Sequence, residues 1–300
     1  MATGGLPLPP VSLIVPTRNR PAILTEAIDS ILAGTELPAE LIIVDQSDTV
    51  HPELPRLAAG PVCTVRYLWS RSKGLSHARN EGIAAAAHDI FAFTDDDVLV
   101  ARSWLGTLVR ALVAAGNESV VTGQVQPAEQ KPGGFVPSTM VEPHPAVYRG
   151  RIGADVLYPH NMAFHRTLVD RIGLFDVRLG AGARFAGAED NDFAFRLLEA
   201  GHRIVYVPEA VVHHRAWRSN HAYLPLRWSY GRGQGAFYAK HMRLHDRYML
   251  WRLGQDIGQR TLRFARLLPR QPRRAVGQLV CAAGVIAGAA EWLITRPEAA

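Results

Sequence analysis

The chain has 300 residues, of which 48% are hydrophobic and 20% charged, a composition typical of a globular protein that can bury a sizeable core. The Gly/Pro-rich N-terminal residues 1–10 show no basic segment followed by an apolar one, so we expect no signal peptide. The two cysteines, Cys63 and Cys281, lie far apart and have neither metal-binding nor redox spacing, which fits a reducing cytosol.

Positive charge is concentrated in the last third of the chain. Residues 201–300 contain 16 of the 33 Lys and Arg residues but only 5 of the 27 Asp and Glu residues. A basic segment of this kind is either a solvated helical surface or a contact for nucleic acid, anionic lipid or a phosphorylated ligand. The standard nucleic-acid-binding motifs do not occur, so we expect no nucleic-acid partner.

Strands and helices alternate through the first half of the sequence. Short apolar runs predict strands at 11–16, 40–45, 64–69 and 89–94 and the start of another at 119–123, and helical spacing predicts helices at 21–32, 75–87 and 103–115. This order predicts an α/β fold with a doubly wound, mostly parallel sheet. In such a sheet, ligands bind beyond the carboxyl ends of the strands.

The second half is less regular. Residues 127–157 predict a long loop or an excursion at the sheet edge, followed by elements at 161–165, 167–172, 193–200, 204–207 and 211–214. The Gly-rich segment 230–235 predicts either a mobile flap over a ligand or a turn between helices. A basic amphipathic helix is expected at 248–268. The apolar helix at 276–294 either packs on protein, touches a membrane or spans one.

Three adjacent carboxylates, Asp95-Asp96-Asp97, follow the strand at 89–94. Their mutual repulsion is relieved by a divalent cation or by hydrogen-bond donors, and hard oxygen ligands suit Mg²⁺ or Mn²⁺ and the phosphates that these ions accompany. The alternative is an acidic turn that caps the next helix. Neither a Walker motif nor a Gly-x-Gly-x-x-Gly turn is present, so a pyrophosphate would need another means of neutralisation, such as a carboxylate-bound metal.

Five segments, in this order, resemble family 2 glycosyltransferases of the GT-A fold: Val-Pro-Thr-Arg-Asn-Arg at 15–20, Ile-Ile-Val-Asp-Gln-Ser at 42–47, Gly-Leu-Ser-His-Ala-Arg-Asn-Glu-Gly at 74–82, Phe-Thr-Asp-Asp-Asp at 93–97 and Gly-Ala-Glu-Asp-Asn-Asp-Phe-Ala-Phe-Arg-Leu at 187–197. The resemblance covers about residues 10–215. It implies a flexible N-terminus (1–10) and a GT-A catalytic domain (11–220) with a Rossmann-like nucleotide-binding half (11–125) and an acceptor half (126–220). A helical C-terminal region (221–300) follows.

The resemblance also implies a metal site for Mn²⁺ or Mg²⁺. Asp97 would ligate the metal, Asp95 would contact the ribose or the metal, and Asp96 would assist in donor binding. His214 would complete the site. Because successive strand side chains face opposite sides, only one of His213 and His214 points inward, and we favour His214.

Asp190 is the expected general base. A carboxylate at the start of a helix is favoured by the helix dipole and can accept the proton of an attacking hydroxyl. The resemblance supports this role and implies inversion at the anomeric carbon. Glu189 and Asp192 are rivals, and all three acids could instead be ordinary helix N-terminal residues. Asn161 and Trp217 are further acceptor-side candidates.

The donor is expected to be a nucleotide-diphosphate sugar bound at the strand ends. Asp45 can accept from the imide N–H of uracil or thymine and equally from guanine, so it specifies the donor base poorly. A UDP-sugar is favoured, and a dTDP- or GDP-sugar stays open. Arginine makes forked contacts to phosphate. The donor-side candidates are Pro16, Thr17, Arg18, Asp45, Arg71, Lys73, Arg79, Asp95 and Asp96, and each cation could alternatively be solvent-exposed.

The sequence therefore predicts an inverting, metal-dependent glycosyltransferase acting on a hydroxyl of a polysaccharide, a lipid-linked acceptor or a small natural product. A sugar nucleotidyltransferase is one alternative, although the turn at 17–20 lacks the glycines that such enzymes use. A catalytically silent nucleotide-sugar-binding module is the other. We expect a cytoplasmic protein, with either homodimerisation or contact with the inner face of the membrane through the C-terminal helices.

Overall fold

The computed structural model of the chain describes residues 7–51, 54, 63–128, 134–135, 138–215 and 218–295. The chain divides into two compact units that interleave along the sequence. The sheet unit comprises Met1–Ser72, Ala78–Leu174 and Ala194–Trp217, and the helical unit comprises Lys73–His77, Phe175–Phe193 and Arg218–Ala300. The domain boundaries expected from the sequence stay a prediction.

The described strands and helices alternate as the sequence predicts in the first half. The strands are β1 (Val11–Thr17), β2 (Glu40–Asp45), β3 (Thr64–Trp69), β4 (Ile90–Phe93), β5 (Val98–Val100), β6 (Ser119–Pro127), β7 (Gly134–Phe135), β8 (Ala146–Arg149), β9 (Met162–His165), β10 (Arg203–His214) and β11 (Arg218–Ser219). The helices are α1 (Pro21–Leu32), α2 (Leu75–Ala85), α3 (Trp104–Ala115), α4 (Thr167–Ile172), α5 (Glu189–Glu199), α6 (Tyr223–His241), α7 (Tyr248–Leu267) and α8 (Pro272–Thr295).

Nine of the described strands form one sheet in the order β3-β2-β1-β4-β9-β6-β10-β5, with β8 also paired to β10. The pairs β1–β2, β2–β3, β1–β4 and β6–β10 are parallel. Strand β9 lies antiparallel between β4 and β6, and β5 and β8 pair antiparallel with β10. The α/β fold is confirmed. Its first four sheet positions are parallel, and β9, β5 and β8 add the antiparallel pairs.

Strand β10 corrects one expectation from the sequence. The pattern predicts separate strands at 204–207 and 211–214, whereas the structure has one strand whose register against β6 shifts between Val207 and Val211. The extra residues form a bulge, which interrupts the apolar alternation without ending the pairing.

Both faces of the sheet in the sheet unit are covered. On one face, apolar side chains of α1 and α3, including Leu24, Ile28 and Leu108, join a buried cluster with Leu13 and Ala92. On the other face, Phe164 stacks on Phe93 and meets Phe91 edge to face, and Gly82 of α2 lies against Ile14. This two-sided burial is why β1, β2 and β4 read as continuous apolar runs.

The Gly-rich segment 230–235 is neither a flap nor a turn, because it lies inside α6. Its glycines let the α6 backbone approach α8 closely. An added Cβ at Gly231 or Gly235 would clash with the carbonyl oxygen of Cys281 or Val285. Glycine inside a helix is less stable than alanine, but here it allows the backbones of α6 and α8 to pack in contact.

We expect Gly235→Ala to destabilise the protein by about 1–3 kcal/mol, because its methyl group would overlap the Val285 carbonyl in a packed helix pair. Gly258→Ala in α7 is the matched control, since an added Cβ there meets no atom within 4 Å. Ala should raise the stability at that position by up to about 1 kcal/mol through helix propensity alone. Urea unfolding of both variants checks this, and a stabilised Gly235→Ala protein would contradict the close α6–α8 contact.

Candidate active site

The acidic turn, Asp95–Asp97, is held by the residues that follow β1. Since β1 and β4 are parallel neighbours, their carboxyl ends meet at one edge of the sheet. Thr17 donates its hydroxyl to Asp96 Oδ2 at 2.6 Å. The guanidinium of Arg20 lies 2.7 Å from Asp96 Oδ1 and 3.0 Å from Asp97 Oδ2. One guanidinium therefore pairs with two adjacent carboxyl groups.

Asp96 is the buried member of the turn. Its side chain is 0% exposed. Burial raises its pKa, Arg20 lowers it, and the charges of Asp97 and Asp95 raise it, with a combined result of about 7. This burial is at odds with the donor contact expected for Asp96 and favours a role in positioning Arg20 and the turn.

His214 lies beside Asp97 because of the strand register. In the antiparallel β5–β10 pair, His214 is opposite Val98, the residue after Asp97. The Nε2 atom of His214 lies 3.6 Å from Asp97 Oδ1, and its Nδ1 atom lies 2.9 Å from the Ser138 carbonyl oxygen. Burial lowers the pKa of His214, but the hydrogen bond and charge of Asp97 outweigh burial, so the pKa is raised overall.

Asp95 is the most exposed acid of the turn, with 21% of its side chain accessible. The buried Arg79 of α2 lies 3.2 Å from Asp95 Oδ1 through its Nη2 atom. Within the sheet unit, the structure therefore brings Asp95, Asp97, Arg79 and His214 to one sheet edge, and their donor-binding and metal-binding roles stay predictions.

Asp45 lies at the end of β2, beside β1. Its Oδ2 accepts from the Tyr67 hydroxyl at 2.7 Å and its Oδ1 from the Ser47 N–H at 2.8 Å. Burial and the hydrogen bond to Asp45 raise the pKa of Tyr67 to about 12, so the phenol stays protonated as a donor. A carboxylate can accept about four hydrogen bonds, so Asp45 retains capacity for a base.

The other donor-side candidates differ in position. Pro16 is buried within β1, where it is paired with Val44. Arg18 is partly exposed and lies 3.7 Å from Asp48. Arg71 is exposed, with its guanidinium 5.6 Å from the centre of the Trp69 ring. Lys73 is exposed and belongs to the helical unit.

The helical unit contains the three acids that begin α5, and they differ sharply in environment. Asp192 is 0% exposed, with its Oδ1 2.5 Å from Lys240 Nζ and 2.7 Å from His241 Nε2. Glu189 is also buried. Asp190 is partly exposed, and its Oδ1 accepts the Asn191 N–H at 2.8 Å. The ion pairs of Asp192 favour a structural role over the acceptor-side role expected for it.

Asn161 is likewise engaged in structure. Its Nδ2 donates to the carbonyl oxygens of Gln124 at 3.0 Å and Ala210 at 2.8 Å, and its Oδ1 accepts from Trp104 Nε1 at 2.8 Å. These bonds hold the irregularity of β10 and use the whole amide, which is at odds with acceptor binding. Trp217, the remaining acceptor-side candidate, lies outside the described residues.

Residues 12–173 match the model of glycosyl transferase family 2. The chain belongs to this family. It is 30% identical over 237 residues to a pre-mycofactocin glycosyltransferase of Mycobacterium tuberculosis, covering 71% of this chain but only 46% of that relative. It is also 25% identical to a glucosyl-dolichyl phosphate glucuronosyltransferase of Haloferax volcanii, covering 68% of this chain and 69% of the relative. The chain thus spans about half the length of the first of these relatives.

Solved structures of glycosyltransferases share the fold. A mannosyltransferase from Pyrobaculum calidifontis in complex with GDP-Man and Mn²⁺ aligns with a TM-score of 0.60 at 19% identity, covering 94% of this chain and 87% of that one. Residues 1–349 of TarS from S. aureus align with a TM-score of 0.61 at 15% identity, covering 94% and 82%. GalNAc-T7 with UDP, GalNAc and Mn²⁺ aligns with a TM-score of 0.55 at 19% identity, covering 71% and 44%.

Asp97 and His214 of this family 2 glycosyltransferase suit a divalent cation that is also coordinated by a substrate. No group of three or more His, Cys, Asp or Glu side chains in the described part of the chain could hold a metal on its own. Mg²⁺ sites commonly use only one or two carboxylates plus substrate phosphates. If His214 donates Nδ1–H to the Ser138 carbonyl, the lone pair on Nε2 faces Asp97, which is the usual arrangement for a metal-ligating histidine.

Two residues at this site were missed from the sequence. Arg20 was passed over in favour of Arg18, although both flank the same turn. His160 is buried, its ring centre lies 5.0 Å from that of His214, and burial together with the charge of His214 lowers its pKa to about 4. It precedes β9 at the end of a long irregular segment, where no sequence pattern indicates its position.

The raised pKa of Asp96 gives a pH-dependent prediction. A carboxyl whose pKa rises from 3.8 to about 7 on folding favours the folded state fully below pH 3.8, and that contribution is lost progressively as the pH rises from there through 7. Asp96→Asn removes the ionisation, so it should raise Tm at pH 8 and change it little at pH 4. A gain of about 1 kcal/mol corresponds to roughly 2–4 °C.

The measurement is a thermal melt in EDTA, with Asp89→Asn as the control. Asp89 stands at the other end of β4 with an exposed side chain, so its substitution should cause no pH-dependent difference. An Asp96→Asn protein with a lower Tm than the unsubstituted protein at pH 8 would contradict the raised pKa of Asp96.

Proposed function

We propose that this family 2 glycosyltransferase moves a sugar from a nucleotide-diphosphate sugar to an acceptor hydroxyl, using Mn²⁺ or Mg²⁺, with inversion at the anomeric carbon. The observation that carries the proposal is the pairing of Asp97 with His214, 3.6 Å apart, at the carboxyl edge of the sheet. Open α/β sheets bind their ligands at this edge.

The nucleotide would lie across the ends of β1, β2 and β4. Asp45 would accept from the base, and Arg79 would hold the carboxylate of Asp95 towards the ribose. A UDP-sugar is our preferred donor. A dTDP- or GDP-sugar is the alternative, because Asp45 recognises an N–H that uracil, thymine and guanine share. The two solved neighbours with nucleotide ligands contain UDP and GDP-Man, so they leave the base open.

Loss of the sugar leaves negative charge on the diphosphate. A divalent cation held by Asp97 and His214 would stabilise that charge as it develops. Asp97 must be ionised for this task, and its Oδ2 atom lies 3.0 Å from the Arg20 guanidinium. His214 must be neutral when it ligates, and an Nδ1–H bond to Ser138 would select the required tautomer.

Asp190 is our candidate for the general base. It is partly exposed in the first turn of α5, where the helix dipole favours a carboxylate. Asp192 is less suited, because Lys240 and His241 bind its carboxylate in the protein interior.

The acceptor stays open among a polysaccharide, a lipid-linked compound and a small natural product. The two relatives named above carry names that refer to pre-mycofactocin and to glucosyl-dolichyl phosphate, which are unlike one another. We also propose a cytoplasmic location, which the two buried free cysteines support.

Asp97→Asn should reduce transfer by about 10²-fold or more, since it removes a ligand whose charge the metal needs. The test combines transfer assays over a Mn²⁺ series with Mn²⁺ titration of the protein in the presence of UDP. Asp89→Asn, at the opposite end of β4, is the control and should behave like the unsubstituted protein. An Asp97→Asn protein with full turnover in EDTA would rule out the metal mechanism.

Asp190→Asn should lower the transfer rate by about 10²-fold or more, the usual scale for a lost general base, with unchanged donor affinity and Tm. Asp192→Asn should instead lower Tm, because it breaks a buried ion pair and leaves Lys240 without its full partner charge. Rates are compared at saturating donor, and the anomeric configuration of the product is determined by NMR. A normal rate for Asp190→Asn would show that another residue is the general base. A retained anomeric configuration would exclude single displacement.

A further inference from the structure

Helix α8 is apolar on its outer side as well as its inner side. Its inner side packs within the helical unit through buried residues such as Cys281, Val285 and Trp292. The outer side carries exposed residues spaced alternately three and four apart, so they form one stripe along the helix. We call these residues the apolar stripe: Val276, Leu279, Ala283, Ile286, Ala290 and Leu293.

The apolar stripe is uncovered in the described part of the chain. Ile286 is 56% exposed and Leu293 50% exposed. A helix that is apolar all round is normally buried on every side. Contiguous apolar surface of this kind marks an interaction site.

The neighbouring helix α7 also exposes apolar side chains. It packs against α8, and its outer residues include the exposed side chains of Leu250, Trp251 and Leu262. Trp is enriched where an apolar region meets water at a membrane surface, since its ring is apolar and its N–H is polar.

Positive charge surrounds the turn between these helices. From Asp256 to Glu291 the sequence contains six arginines and no intervening acid. Arg260 is paired with Asp256. The other five are exposed, and we call them the arginine cluster: Arg263, Arg266, Arg270, Arg273 and Arg274.

We propose that α7 and α8 dock on an anionic lipid bilayer, with the apolar stripe entering the interface and the arginine cluster contacting the lipid headgroups. Amphipathic helices bind membranes through these two contributions. A second copy of the chain could cover the stripe, but a two-fold dimer would place this surface against itself, and the stretch between Asp256 and Glu291 offers no acid to pair with the arginine cluster. An anionic bilayer accounts for both features.

A surface position suits α8 better than a transmembrane one. The helix is long and apolar enough to cross a membrane by length and composition. However, 44% of its most apolar window is buried inside the protein, because α6 packs closely along it through Gly284 and Gly288. This inference concerns where the enzyme resides and does not depend on the proposed donor, metal or base.

The test is vesicle flotation of the full chain. The vesicles contain phosphatidylcholine alone or mixed with an equal part of phosphatidylglycerol, and are used at low and high salt. We expect binding to the mixed vesicles only, weakening with salt as the Debye length falls from about 10 Å at 0.1 M to about 3 Å at 1 M. Leu279→Glu with Ile286→Glu should abolish binding, and Arg266→Gln with Arg270→Gln should weaken it by about tenfold or more.

Strand β8 offers matched controls. Val147 is 56% exposed, the same as Ile286, and Arg149 is exposed like the arginine cluster. Val147→Glu and Arg149→Gln should therefore bind vesicles like the unsubstituted protein. All variants should keep the circular dichroism spectrum and the Tm of the unsubstituted protein, which shows that they are folded.

Three outcomes would overturn the proposal. The first is failure of the unsubstituted protein to float with the mixed vesicles. The second is equal binding to neutral and anionic vesicles. The third is a dimer in analytical ultracentrifugation that Ile286→Glu dissociates without any effect on flotation, which would assign the apolar stripe to a second copy of the chain.

Discussion

The sheet-unit part of the candidate active site depends on one buried ion pair, between Arg20 and the carboxylates of Asp96 and Asp97. Three consecutive acids would repel one another, and the middle one is wholly buried. Arg20 and the hydroxyl of Thr17 make that burial tolerable. Once Asp96 is fixed inside, its two neighbours are fixed as well. Asp95 meets Arg79, and Asp97 meets His214.

The same constraint explains why the three acids differ in chemistry although they are adjacent in sequence. Burial raises the pKa of Asp96 to about 7, which is unsuited to a permanent anionic ligand. Asp97 lies between the Arg20 guanidinium and His214, so its charge is supported from two sides. A motif of three identical letters therefore contains one residue that supports the fold and two that can face a ligand.

Sequence patterns located the early elements well because local signals specify them. The ranges of α1, β2, β3 and α4 agree with the structure, since each is an apolar run or helical repeat that ends at a turn. Elements set by distant contacts were misjudged. The sequence predicts two strands in place of β10, because the bulge between them depends on a distant hydrogen bond from the Asn161 amide. The glycines in α6 suggest a flap or a turn, because the α8 backbone that they contact is distant in sequence.

The candidate site residues also differ in how far the sequence alone could place them. Asp95, Asp97 and His214 lie at or next to strand ends, and the sheet brings strand ends together whatever the intervening sequence. Asp192 and Asn161 also lie in or beside recognisable segments, yet their polar atoms satisfy buried partners, Lys240 in one case and the Ala210 carbonyl in the other. A polar residue near a motif can thus stabilise the fold instead of binding substrate. Buried polar groups need partners within the protein. Asp192 and Asn161 are 0% exposed and bound to such partners, whereas the side chain of Asp95 is 21% exposed, and sequence patterns do not report this difference in burial.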